Sequence, residues 1–395
     1  MKHEAFGKSD SGKNRNYNED AFVLDASLGL YLICDGLGGP PAGELACQTA
    51  CTTIQTIVDQ SRAMLEELDK QGENAETGKA IDMVTTAMQT AGRQVYKTLM
   101  AKTAGKGGCT IALLLLVGRY AIIAHIGDCR IYLIRDEQAH RITDDHARMV
   151  PKENSRGERK VLQRVLGLHE EVEVETLVME LMPHDIYMMT TDGLHDYFPD
   201  DDLANCCRKV QLGNIPNTLI RAANERGGKD NATVIVTRIE SVRMSEVDPA
   251  QQVNVLKKIP LFYKLDYREL VQLSEVTRIR KYQDGELIIQ DGEEGRDLFI
   301  LLAGKARVSK LQETLAELTP GSFFGEGGLI EPEGRNADVI ANGRVTAMII
   351  GRVDLLRLLD EDPVMCTKVL WSMCTMLNKR LRHTTDHLSW VKSSI

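Results

Sequence analysis

The sequence predicts an α+β protein of two domains, with helices segregated from sheet rather than alternating with it. Three observations carry this. The chain has 395 residues, enough for two ordinary domains. Its first part reads as strand, helix pair, a run of strands, helices and a closing strand, a mixed but non-alternating order. After a polar stretch from Ser241 to Gln251, the texture changes. Short helices come next, then short strands bounded by Asp284-Gly285, Asp291-Gly292, Gly304 and Pro320-Gly321, then helices again. Domains are therefore expected at 1–240 and 253–395, joined by a linker at 241–252.

The first strand signals sit beside acids. Ser9 to Asn18 is polar and runs into Glu19-Asp20 before a short strand, Ala21 to Leu24. Arg15 could clamp a phosphate bidentately and the paired carboxylates could bind metal-bound waters, although a solvated loop is the commoner fate of such a run. Tyr31 to Cys34 is an apolar run that ends in Asp35, and Gly36-Leu37-Gly38-Gly39 follows. Gly36 has no side chain, so its backbone carbonyl can approach a ligand, and an acid beside a bare carbonyl suits a hard divalent cation. Alone, Asp-Gly is an ordinary turn. The device recurs, however. Ile186 to Thr191 leads into Asp192-Gly193-Leu194, Asp230 precedes the run Ala232 to Val236, and Asp128 follows the strand Arg119 to Ile126. Isolated carboxylates at strand ends, far apart in sequence, are what a metal cluster assembled by folding needs.

Between these acids, helical spacing covers Glu44 to Leu68 and Lys79 to Leu99. Strands are expected at Gly107–Val117, Arg119–Ile126, Arg130–Arg135, Ala139–Thr143 and Val172–Leu181, with Val234–Ile239 closing the domain. Met149 to Val161 reads as a mobile polar loop, and Leu162 to Gly167 as a short helix stopped by glycine. Leu203–Val210 and Thr218–Arg226 look helical.

In the second part, Leu256–Phe262 and Tyr267–Ser274 are helical and the strands beyond them suggest a compact β-roll. Helices resume at Arg352, the last long enough for a lid or a dimer seam. Inside the roll, Gly325-Glu326-Gly327-Gly328 with Arg335 makes a small anion cradle. The glutamate would repel a phosphate unless it faced a donor such as a sugar hydroxyl, so a ribose joined to a phosphate fits. An ordinary glycine loop with a surface Glu–Arg pair fits equally well.

Composition narrows the class. Net charge is −9, and neither half has the basic excess of a nucleic-acid binder. The nine cysteines are odd in number and form no zinc-type CxxC, as expected of reduced thiols in the cytoplasm. Ile111 to Val117, the longest purely apolar run, is far too short to cross a bilayer, and the first residues lack a signal-peptide core.

Arg15-x-x-x-Glu19-Asp20, Asp35-Gly36-x-Gly38-Gly39-x-x-x-Gly43-Glu44, Gly127-Asp128-Cys-Arg130, Thr143-x-Asp-His146, Thr191-Asp192-Gly193-Leu194 and Asp230-Asn231-x-Thr233 run in one order through the first domain. In this it resembles the metal-dependent serine/threonine protein phosphatases of the 2C type. The resemblance implies an α-β-β-α sandwich, a phosphoserine or phosphothreonine protein substrate, and two or three Mn²⁺ or Mg²⁺ ions. Asp35 would bridge two ions, with the Gly36 carbonyl, Asp192 and Asp230 as further ligands. Glu19 and Asp20 would act through coordinated waters, Asp128 would help hold a third ion, and Arg15 would hold the phosphoryl group. Arg15, Asp35 and Asp192 are thus the expected catalytic residues, and a metal-activated water the nucleophile. Pro40, Cys129 and Ala147 depart from the residues usual in that family, and the stretch from Met149 is shorter than its usual flap.

The second domain resembles cyclic-nucleotide-binding domains of the catabolite-activator type. That implies Glu326 on the ribose hydroxyl, Arg335 on the cyclic phosphate, and Gly325 and amides near Gly328 and Asn336 beside it. Thr384 and Thr385 on the last helix match the hydroxyl pair that meets adenine, which favours cyclic AMP over another cyclic nucleotide. The expected whole is a cytoplasmic phosphatase under cyclic-nucleotide control, without nucleic-acid or membrane partners and able to form a homodimer through its last helix. The rival expectation is a non-catalytic, nucleotide-sensing scaffold that binds phosphoproteins.

Overall fold

The computed structural model describes residues 1–71, 77–151, 158–243, 249–311, 313–330 and 334–393. In the last helix, side chains are described through Lys379 and at Leu381, Arg382 and Thr385. The chain divides into two compact units, Met1–Ser245 and Glu246–Ile395.

The first unit contains, in order, β1 (Lys2–Asp10), β2 (Ala21–Asp25), β3 (Leu30–Leu37), α1 (Ala42–Gln60), α2 (Arg62–Gln71), α3 (Thr77–Thr103), β4 (Gly108–Val117), β5 (Tyr120–Ile126), β6 (Arg130–Arg135) and β7 (Gln138–Arg141). There follow β8 (Ala147–Pro151), β9 (Glu158–Leu162), β10 (Glu175–Glu180), β11 (Ile186–Thr190), α4 (Asp192–His195), α5 (Asp200–Lys209), α6 (Ile215–Glu225) and β12 (Ala232–Ser241). Two five-stranded sheets result, ordered β1-β12-β11-β6-β7 and β10-β5-β4-β3-β2.

Side-chain alternation explains the layering. Leu30, Leu32 and Cys34 of β3 and Ile111, Leu113 and Leu115 of β4 pack with Ala46, Ala50 and Ile54 of α1 and Val84, Met88 and Val95 of α3. Met188, Val234 and Val236 pack with Leu203 of α5 and Leu219 and Ile220 of α6. The alternate residues Tyr31, Ile33, Leu114, Tyr187 and Ile235 are also buried, so each sheet is covered on both faces. The layers run α-β-β-α. Burial of every residue of β4 accounts for its unbroken apolar run.

Four local expectations change. Ser9 and Asp10 end β1, which few strand formers announce and which exists by pairing with β12. The first long helix is broken at Ser61 into α1 and α2. Met149 to Val161 is not a loop throughout, because β8 and β9 pair from Ala147↔Leu162 to Pro151↔Glu158. Residues 152–157 lie outside the described part. Leu162 to Gly167 forms no helix: Leu162 ends β9, and Leu166 makes an isolated bridge to Cys109. Leu166 exchanges both backbone hydrogen bonds with Cys109, at 3.0 and 2.8 Å, which serves the sheet better than a helical turn would.

The second unit contains α7 (Pro249–Lys258), α8 (Tyr267–Glu275), β13 (Thr277–Tyr282), β14 (Leu287–Ile289), β15 (Asp297–Lys310), β16 (Glu313–Leu318), β17 (Phe323–Phe324), α9 (Gly327–Ile330), β18 (Asp338–Gly351), α10 (Arg352–Glu361) and α11 (Pro363–Ser393). Helix α7 thus begins inside the stretch expected as linker. The sheet is ordered β13-β18-β15-β16, with β14 on β18 and β17 on β15, around a core that includes Phe299, Leu301, Phe324 and Val339. β15 and β18 are longer than the expected short strands. Gly304 does not end β15 but lies within it, at φ 85° and at a register shift between Ala303 and Lys305.

No helix among the described residues is long and apolar enough to cross a membrane. All nine cysteines are free.

Candidate active site

The acids converge where the two sheets of the first unit meet. Asp35 stands near the end of β3, opposite Thr110 of β4. At Gly36 a Cβ would lie 2.6 Å from the Glu19 carbonyl oxygen and 2.8 Å from that of Gly43. Only a residue without a side chain lets the strand end, the Glu19 loop and α1 come together there. From the other sheet, α4 starts at Asp192 directly beyond β11, and Asp230 comes just before β12.

Polar side chains fix this junction. Asp20 Oδ2 accepts hydrogen bonds from Thr191 Oγ1 at 2.9 Å and Thr233 Oγ1 at 2.6 Å, so the opposite sheet holds it. Asn231 Oδ1 accepts from the Glu19 N–H at 2.9 Å, and its Nδ2 donates to the carbonyls of Ser11 and Tyr17 at 3.0 and 2.8 Å. Asn231 thereby ties down the loop that carries Arg15 and Glu19. Arg15 is half-exposed, and its Nη2 donates to Asp230 Oδ2 at 2.7 Å. Cys129 Sγ lies 3.1 Å from Thr110 Oγ1 beneath the site.

The charges oppose one another. Burial, then the charges of Asp20, Asp192 and Asp128, push the Asp35 carboxyl well above the usual range. Burial also raises Asp20, to about 7, against the hydroxyls of Thr233 and Thr191. Asp192 is raised to about 6 by burial and by the charge of Asp128. Burial raises Glu19, and Arg15 opposes it. Among the described residues, no hydrogen bond reaches the buried atoms Glu19 Oε1 and Asp20 Oδ1. An all-oxygen donor set with unpartnered buried oxygens and crowded like charge fits hard divalent cations.

Asp128 is held differently. Its Oδ2 lies 2.7 Å from Lys160 Nζ, which also reaches Asp145 Oδ2 at 2.9 Å. Arg130 grips Asp145 with two hydrogen bonds of 2.8 and 2.9 Å. Sequence reading missed Lys160, because nothing in a polar stretch shows which of its cations turns inward. The turn before Asp128 is fixed by His146, whose backbone N–H donates to the Gly127 carbonyl and whose Nδ1 accepts from the Gly127 N–H at 3.1 Å. His146 Nε2 lies 2.9 Å from Glu175 Oε2 and 3.1 Å from Arg164 Nη1. His125, His146 and Glu175 are near enough for a metal, but this bonding uses both nitrogens of His146 and makes the group a strut.

In the second unit, Gly325 has φ 81° and Arg335 folds into the cradle. Its Nη1 donates to the Gly325 carbonyl and its Nη2 to that of Asp297, both at 2.9 Å. The guanidinium lies over the Phe299 ring, 5.8 Å from its centroid, and burial lowers its pKa. Glu326 is half-buried nearby. The Gly328 N–H donates to the Gly325 carbonyl at 3.1 Å within the turn. Asn336 is exposed, and its carbonyl accepts from Lys310 Nζ at 2.8 Å. Thr385 is exposed on α11, with Oγ1 donating to the Leu381 carbonyl at 2.8 Å. The side chain of Thr384 lies outside the described residues. The structure thus joins Gly325, Gly328 and Arg335 and turns Thr385 onto its own helix.

Residues 8–161 match the family described as protein phosphatase 2C, and residues 279–362 the family described as cyclic nucleotide-binding domain. The serine/threonine phosphatase stp of Listeria welshimeri is 25% identical over 244 residues, covering 58% of this chain and 93% of that protein. The serine/threonine protein phosphatase PstP of Mycobacterium tuberculosis is 28% identical over 253 residues, covering 61% of this chain and 46% of that protein. The solved structure of PstP matches with a TM-score of 0.51 at 26% identity, over 60% of this chain and 99% of that one. The serine/threonine phosphatase of S. agalactiae gives a TM-score of 0.50 at 25% identity, over 60% of this chain and all of that one. With the acid cluster and the arginine cradle in place, these matches give the chain a protein phosphatase 2C domain followed by a cyclic nucleotide-binding domain, and they support a protein serine/threonine phosphatase.

Proposed function

We propose that the chain hydrolyses phosphoserine and phosphothreonine in proteins with the help of Mn²⁺ or Mg²⁺, and that a cyclic nucleotide bound to its second domain regulates it. The convergence of Asp35, Asp192 and Asp230 beside the unpartnered oxygens of Glu19 and Asp20 carries the first part. Asp35, the Gly36 carbonyl, Asp192 and Asp230 would hold two cations, with Asp128 at a third position. Cations there supply a water of lowered pKa and positive charge against the phosphoryl oxygens. Glu19 and Asp20 would orient waters through their free oxygens. Arg15, half-exposed at the rim, would exchange Asp230 for the phosphoryl group, to which its planar fork is matched.

The regulatory part rests on the cradle of Gly325, Gly328 and Arg335. Glu326 and Asn336 would complete the contacts to the ribose and phosphate, and Thr384 and Thr385 would reach the base, in keeping with cyclic AMP. Exposed Leu370, Leu377 and Leu381 recur along α11 beside Trp371, and they support a homodimer through that helix. Free thiols support a reducing cytoplasm as the compartment.

Hydrolysis of a phosphothreonine peptide with Mn²⁺, with and without cyclic AMP, tests both parts. Turnover should vanish on chelation and change with the nucleotide. Full turnover after exhaustive chelation would overturn the metal reading, and indifference to every cyclic nucleotide the regulatory one.

A further inference from the structure

We propose that Lys160 is a built-in counter-cation for Asp128, so that a divalent ion gains this acid as a ligand only by displacing the lysine. The inference rests on the reading of the acid cluster as a cation site, and it concerns how one of its acids is guarded.

The acids of the cluster are met in different ways. Asp20 faces two threonine hydroxyls, and Asp35 lies within hydrogen-bonding reach of Asp192. Asp128 is only 7% exposed and instead meets an ammonium at 2.7 Å. Asp145, pinned by Arg130, holds that ammonium from the other side at 2.9 Å. Lys160 is therefore fixed between two carboxylates rather than swinging in solvent. A divalent ion on the same carboxylate would stand within a few ångströms of the ammonium, and at that distance like charges repel strongly in a partly buried setting. One of the two cations must leave.

Departure of Lys160 also has a mechanical side. β8 and β9 form a two-stranded sheet of their own, and Lys160 lies on β9. Its ammonium is a link from this hairpin to the acid cluster. Loading Asp128 should loosen β9, and by reciprocity a firmly seated β9 should weaken loading.

Calorimetric titration of the full chain with Mn²⁺ tests this, using wild type, Lys160→Met and Lys160→Arg. Methionine keeps much of the apolar stem and removes the charge. Lys160→Met should bind Mn²⁺ about tenfold more tightly at one site, the scale set by losing a partly buried like charge. Adding Asp128→Asn should cancel that gain, and Lys160→Arg should restore wild-type affinity. Amide exchange of residues 158–162 should quicken on Mn²⁺ addition in wild type and be fast without metal in Lys160→Met. Identical isotherms for wild type and Lys160→Met, with Mn²⁺-dependent turnover intact, would overturn the inference alone. A gain that survives Asp128→Asn would overturn it too. No Mn²⁺ binding by any variant would overturn the cation-site reading with it.

Discussion

The two ligand sites prepare for their partners in opposite ways. In the first unit, buried oxygens of Glu19 and Asp20 have no hydrogen-bond partner among the described residues, and neighbouring carboxyls raise one another's pKa. In the second, the Arg335 guanidinium is already satisfied by the carbonyls of Gly325 and Asp297. The first site is a standing deficit of positive charge that any suitable cation relieves. The second must trade existing bonds for new ones, so its ligand is favoured only by the difference. Metal loading should thus act as a requirement and nucleotide binding as an adjustment.

The largest expected effect breaks the first side of this contrast. Asp35→Asn and Asp192→Asn should each lower phosphopeptide turnover with Mn²⁺ by about a hundredfold or more, since each removes charge that adjacent cations need. Near wild-type rates in Asp35→Asn would mean that the deficit is not the catalytic feature. Next, Arg335→Ala should weaken cyclic AMP binding by about ten- to a hundredfold in calorimetry, the worth of a charge-assisted contact. Undiminished binding would show that the guanidinium stays on its carbonyls when nucleotide is present.

Smaller effects sharpen the contrast. Asp128→Asn should raise the Mn²⁺ concentration for half-maximal turnover by about tenfold while sparing the maximum, because this acid lies to one side of the bridging pair. The smallest concerns pH without metal. Asp20 is raised in the folded state to about 7, so folding binds a proton that the unfolded chain has released. Its contribution to stability is full below the ordinary carboxylate value of 3.8 and is lost as pH rises through about 7. In chelator, Asp20→Asn should therefore reduce the loss of melting temperature between pH 5 and pH 8 by a few degrees. An unchanged pH profile would mean that Asp20 does not store the strain.

Much of the first site is legible in the sequence because each acid is announced by its own strand. Asp35 and Asp192 end apolar runs and are followed by glycine, a local signal that survives without tertiary knowledge. The hydroxyls that hold Asp20 belong to motif residues Thr191 and Thr233, yet their aim across the sheets depends on registers that no local pattern encodes. Lys160 is harder still. Apolar and polar residues do not alternate regularly in β8 and β9, so the pattern gives no strand signal and the inward cation is indistinguishable from its neighbours. Leu162, Val165 and Leu166 mislead in the other direction: their spacing suits a helix, but backbone pairing with Cys109 decides the outcome. In the second unit, Gly304 marks a distortion within β15, because a glycine at positive φ signals a bend without saying whether the strand resumes.

The place where the acids meet has a further consequence for the lifetime of the fold. Asp35 extends from one sheet, and Asp192 and Asp230 flank strands of the other. A cation shared among them would be a reversible cross-link between the two halves of the sandwich, closing a loop of more than a hundred residues as a disulfide might. The sheets could then separate only after the ion had gone. Unfolding of the first unit should accordingly be gated by ion release, with a rate that falls as Mn²⁺ rises, even where the refolding rate stays the same.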